Sequence, residues 1–166
     1  MKTIHEECFE RALKQMHGKS GNPYEDCSIK DVKDNYLATP AHPEHKRIRY
    51  SMVASTRSRD GEMPVRVEIV FEKIKDRTWN EEKMKALEEY KDQIENALGN
   101  ERCHCLVWKP KGGIKGNPGV AYKVVYECAD FADGLKADNV DDVACWLADN
   151  MLKLAKAAAP YLAKID

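Results

Sequence analysis

An α+β fold is what this sequence predicts: an antiparallel sheet built from two hairpins and covered on one face by three helices. Three observations carry the prediction. Apolar residues alternate on both sides of Asp60-Gly61, a second alternating pair flanks a glycine-rich stretch, and apolar stripes at helical spacing lie before, between and after them.

Thr3-Ile4-His5-Glu6 reads as a capping box opening a first helix, with Ile4, Cys8, Ala12 and Met16 on one face, Phe9 and Leu13 beside them, and Gly18 as the stop. From Gly18 to Pro43 the pattern is weak, with a short strand expected near Asn35-Tyr36-Leu37. Ile48, Tyr50, Met52 and Ala54 then alternate with polar residues, as do Val65, Val67, Ile69 and Phe71. A two-residue Asp60-Gly61 turn would set Met52 opposite Ile69 and Tyr50 opposite Phe71, with Arg49 across from Glu72 on the other side. A second helix, capped by Thr78 or Asn80, carries Met84, Leu87, Ile94 and Leu98 and ends at Gly99. Cys103 to Trp108 and Tyr122 to Tyr126 form the second hairpin, around a loop from Pro110 to Gly119. Asn139-Val140-Asp141-Asp142 opens the last helix, with Leu147, Met151, Leu154, Ala158 and Leu162 on one face.

At 166 residues and 43% hydrophobic, the chain can bury a core as a single domain over 1–166 and is too apolar for disorder. No apolar run reaches the ~18 residues of a membrane span, and Met1 to Glu7 has no apolar leader core. Several of its six cysteines sit in apolar patterns, as reduced thiols do. The expectation is a cytoplasmic protein with no membrane partner.

Each catalytic scheme lacks a necessary part. Cys103-His104-Cys105 on a strand sends both cysteines one way and the histidine the other, with no completing pair, so strand packing outweighs zinc. His42-Pro43-Glu44-His45 lacks the downstream cysteine pair of a zinc deaminase, and Pro43 opposes a helix that would align the histidines. Pro110 to Gly119 lacks the Gly-Lys-Ser/Thr ending and helix of a phosphate loop. No Gly-x-Ser-x-Gly elbow occurs; Glu72-Lys73 has the wrong spacing for a Glu-x-Lys nuclease element, and Glu81-Glu82-Lys83 has the right spacing but falls in a helix. No catalytic residue, cofactor or metal is assigned, and binding is favoured over catalysis.

Net charge is only −1, yet it is unevenly spread. Lys46 to Lys75 holds eight basic residues against four acids, and Arg102 to Glu127 five against one. Asp130 to Asp149 holds six acids against Lys136. The expected binding surface is therefore a basic sheet face with its adjoining loops, made of Arg47, Arg49, Arg57, Arg66, Lys109, Lys111, Lys115 and Lys123. Such a face suits phosphate backbones or an acidic protein surface. The competing reading pairs these arginines with Glu68 and Glu72, to solubilise the sheet. The acids opening the last helix need only its dipole.

Val65-Arg66-Val67-Glu68-Ile69, Leu87, Lys91, Ile94-Glu95, Leu98-Gly99, Leu106-Val107-Trp108, Tyr122-Lys123-Val124 and Trp146-Leu147 carry a resemblance, with Phe9 and Leu13 in its opening helix. From Val65 to Ile165 the chain resembles an uncharacterised prokaryotic domain often found C-terminal to restriction-endonuclease-like domains. The resemblance implies a genome-defence setting and no particular reaction. The expectation of a chain without a preceding nuclease domain, and the glycine-rich insertion, depart from that pattern. Together these readings point to a non-catalytic recognition module for nucleic acid or a nucleic-acid-processing protein. The alternatives are an inhibitor of a defence complex, phage-borne and using an acidic helix face, or a small enzyme with a pocket under the 108–120 hairpin.

Overall fold

The computed structural model of the chain describes residues 1–40, 47–59, 61–73, 76–99, 104–109 and 122–165. In chain order the main elements are α1 (Ile4–Met16), β1 (Tyr36–Ala38), β2 (Ile48–Ala54), β3 (Val65–Phe71), α2 (Arg77–Glu88), α3 (Lys91–Leu98), β4 (His104–Lys109), β5 (Tyr122–Cys128) and α4 (Val140–Leu162). The fold is α+β, with five antiparallel strands in the order β1-β2-β3-β5-β4. Both expected hairpins form, and β5 joins them by pairing with β3. The short strand β1 adds an edge beyond them.

One sheet face and the helices share a single core. Met52, Val67, Ile69, Phe71, Val124 and Tyr126 belong to the same buried cluster as Phe9, Leu87, Ile94, Leu147 and Leu154. Helix α4 packs on β2 and β3, α2 on β3 and β5, and α1 and α3 against α4. Thr3 closes its capping box, accepting from Glu6 N at 3.1 Å while Thr3 N donates to Glu6 at 2.7 Å. Tyr24 lies fully inside and donates its hydroxyl to Leu37 O at 2.8 Å, which fastens the weakly patterned segment to β1.

Where one second helix was expected, there are two. In a continuous helix the stripe through Met84, Leu87, Ile94 and Leu98 would include Lys91. The chain breaks at Glu89-Tyr90 instead, so Tyr90 stacks on Tyr161 at 4.7 Å while Lys91 stays outside the buried cluster. The cap is Asp76, which accepts from Trp79 N at 3.0 Å, and not Thr78 or Asn80. Asn80 is buried, bonding Lys73 N at 2.7 Å and Lys73 O at 3.1 Å, so it ties the end of β3 to α2. At α4 the acids are not left to the dipole alone, since Asp141 pairs with Arg11 of α1.

The first hairpin is offset by two residues from its expected register. Arg59 bridges Glu62, and Gly61 has the positive φ of 74° that suits the turn; Asp60 lies outside the described residues. Ser55 N, however, bonds Pro64 O at 2.8 Å, so Thr56, Arg57 and Ser58 on one strand face Met63 alone on the other. Tyr50 consequently stands opposite Ile69, and Met52 opposite Val67. An offset of two moves no side chain to the other face, so the apolar alternation survives it.

Gly134 backs this insertion. A Cβ there would lie 2.5 Å from the Thr56 carbonyl, and its φ is +83°. The next residue, Leu135, donates to Ser55 O at 2.8 Å. Gly21 has a φ of +75° with open space around it. Urea unfolding is expected to show a loss of about 1 kcal/mol for Gly21→Ala, and a loss at least about 2 kcal/mol larger for Gly134→Ala. Equal losses would mean that the close approach to Thr56 carries no weight.

Candidate functional site

The face of the sheet away from the helices holds Arg49, Arg66 and Lys123 of the residues singled out by charge. Register places Arg49 opposite Val70, Val70 opposite Lys123, and Lys123 opposite Lys109, in one row across β2, β3, β5 and β4. Arg66 stands four residues along β3 from Val70, between Val53 and Glu127, with Glu68 midway between the two. Alternation thus brings Arg49, Arg66 and Lys123 to one face of adjacent strands. Lys111 and Lys115 lie outside the described residues, as do Cys103, His42 to His45 and the glycine-rich loop. Arg47 is exposed just ahead of β2, and Arg57 sits on the insertion, away from this face.

The face is not the solvated basic surface that charge counting implied. Glu68 is 2% exposed and Arg66 9%, and Ser51, Val53, Val70 and Val125 are buried beside them. Arg66 donates from Nε to Glu68 at 2.5 Å, contacts Glu62 at 2.8 Å and donates to Met63 O at 2.7 Å. Lys123 Nζ lies 3.6 Å from the same Glu68 carboxylate. Arg49 Nε is 2.6 Å from Glu72 but off the hydrogen-bonding direction, so it has a charge partner and no aligned bond. Buried charge needs a partner to avoid a large desolvation cost, and here the two signs supply it to each other. Beside Arg66, Glu127 has a buried Oε2 without a hydrogen-bond partner.

Between these residues runs a groove of about 220 Å³, with Tyr36, Ala38, Val53 and Val70 as its apolar lining and Arg49, Arg66, Glu68, Glu72 and Lys123 as its charged lining. Tyr36 is 42% exposed, an uncovered aromatic at the edge strand. Its N–H and C=O are both taken by Lys33, which blocks that edge to another strand at this point.

Asn35 lines the groove and also a second, larger hollow of about 490 Å³ at the hairpin base. That cleft lies between the first turn of α1 and the strand insertion, and includes Thr3, His5, Glu6, Asp34, Thr56, Arg57 and Arg59. Nothing local in the sequence marks it, because its walls come from segments far apart in the chain. Arg59 carried a signal only as one more basic residue, and Asp34 carried none.

Thiol chemistry finds no activated group at the described cysteines with shifted acidity. Burial pushes Cys8 up to about 12 and Cys27 up to about 11, and burial with the nearby Asp149 raises Cys145. Among the described residues, no three His, Cys, Asp or Glu side chains come together as a metal site, and no helix is long and apolar enough to cross a membrane. Comparison with family models, curated proteins and solved structures gives no match.

The pairing makes unequal demands on the two acids of the groove. Glu68→Ala takes the Nε partner from a buried guanidinium that keeps only Glu62 and the Met63 carbonyl, with an expected stability loss of about 3 kcal/mol. Glu72→Ala acts on a contact whose partners are 37% and 39% exposed. Its expected loss is under about 1 kcal/mol. Chemical unfolding of the two variants checks the ordering, and a cost for Glu72→Ala equal to that of Glu68→Ala would contradict it.

Proposed function

We propose that the chain is a non-catalytic recognition module whose docking surface is the groove on the sheet face. The preferred occupant is a segment of a partner protein, ahead of a nucleic-acid backbone. The observation carrying this reading is that Arg49 and Arg66 already hold Glu72, Glu68 and Glu62, with Lys123 beside Glu68. A row of phosphates would have to displace those carboxylates, whereas a peptide offers both donors and acceptors. Tyr36 supplies the half-exposed aromatic that protein interfaces use as an anchor. The resemblance of the Val65 to Ile165 region is the support for placing such a partner in prokaryotic genome defence.

Selection from a displayed library of short peptides is expected to enrich mixed-charge sequences whose binding falls with Tyr36→Ala or Ala38→Lys. Labelled DNA and RNA, titrated over a salt series, are expected to form no saturable complex dependent on the groove cations. A nucleic-acid complex whose salt slope drops by roughly 0.7–0.9 per removed groove cation would replace this reading with phosphate binding. Absence of any groove-dependent peptide would also overturn it.

A further inference from the structure

The cleft at the hairpin base differs from the groove in one respect that matters for chemistry. Arg11, Arg49 and Arg66 each hold a carboxylate, but Arg57 and Arg59 make no ion pair among the described residues. Both are exposed and both line the same hollow. They are carried on a braced segment. Gly134 lies against Thr56, Leu135 N bonds Ser55 O at 2.8 Å, Ser58 Oγ donates to Glu62 O at 2.7 Å, and Arg59 bridges Glu62. Two guanidiniums two residues apart on a fixed backbone are arranged in advance for an anion, which lowers the entropic cost of binding one.

A dianion with three oxygens can occupy two guanidinium forks, where a single carboxylate fills one. Phosphate alone does not account for the rest. The hollow of about 490 Å³ is the size of a small-molecule site. Of its two acids, Glu6 is engaged by Thr3 N at 2.7 Å, and these bonds to Thr3 hold its carboxyl below the usual range. Asp34, exposed and with no described partner, repels a bare anion and favours a ligand that brings hydrogen-bond donors to that wall. Thr56, exposed on the opposite segment, adds a hydroxyl.

We propose that this cleft binds a phosphomonoester on a hydroxylated carbon frame, with Arg57 and Arg59 taking the phosphate and Asp34 and Thr56 the hydroxyls. The site is separate from the groove, and neither reading requires the other. The same chemistry is offered by a free sugar phosphate and by the 5′-phosphorylated end of a nucleic-acid strand.

Calorimetric titration with ribose 5-phosphate, ribose, inorganic phosphate, and a short oligonucleotide with and without its 5′-phosphate tests the proposal. Saturable binding is expected for ribose 5-phosphate or the phosphorylated strand, and whichever binds tighter identifies the source. Removing the phosphate, removing the ribose, or making Arg57→Gln/Arg59→Gln should each weaken binding about tenfold or more. Asp34→Asn should weaken the phosphorylated ligand while strengthening inorganic phosphate, a reversal that general loss of structure cannot produce. Tyr36→Ala should leave the titration unchanged. No saturable binding of either phosphorylated ligand, or undiminished binding by the arginine double variant, overturns the proposal.

Discussion

The guanidinium of Arg66 is the contact on which the rest of the sheet face depends. It joins Glu68 of its own strand, Glu62 at the hairpin base and the carbonyl of Met63. A residue 9% exposed would carry a heavy desolvation penalty alone. Held from three directions, it lets a charged row lie among buried valines without breaking the sheet. It also fixes Glu62, whose backbone closes the turn with Arg59. One side chain therefore links the register of the hairpin to the electrostatics of the groove.

That linkage separates the basic residues into two populations. Arg49, Arg66 and Lys123 lie in strands, where alternation puts them beside Glu68 and Glu72 and their charge is largely spent internally. Arg57 and Arg59 fall on the inserted segment and its turn, outside the paired strands, and retain their charge for solvent or a ligand. A local count of charges merges the two populations. Their physical difference comes from the two-residue offset, which Gly134 accommodates because it has no Cβ.

What was legible in the sequence followed from short-range rules. Thr3 and Glu6 specify a capping box, the period of two specifies the strands flanking the first turn, and Leu147 to Leu162 specify a buried helix face. These depend on neighbours within a few residues. The charged residues on one face were legible for the same reason, since alternation survives an offset of two. The break at Glu89-Tyr90 was not, because it depends on Tyr161 in a distant helix. Nor was the burial of Glu68, which alternation alone assigns to the solvated side of a sheet. The cleft was least legible, since Thr3, Asp34, Arg57 and the bracing Gly134 meet only after folding.

If the sheet face is an internally neutralised set of charges organised by Arg66, a double-mutant cycle between Arg66 and Glu68 will read the coupling that holds it together. Arg66→Met, Glu68→Leu and the combined variant would be compared by chemical unfolding. A coupling of about 1.5–3 kcal/mol is expected, with the double variant more stable than Arg66→Met alone, because that change leaves a buried carboxylate with only Lys123 beside it. Losses that add with a coupling below about 0.5 kcal/mol would contradict it, showing that the two charges are solvated separately and that the face is open to polyanions after all.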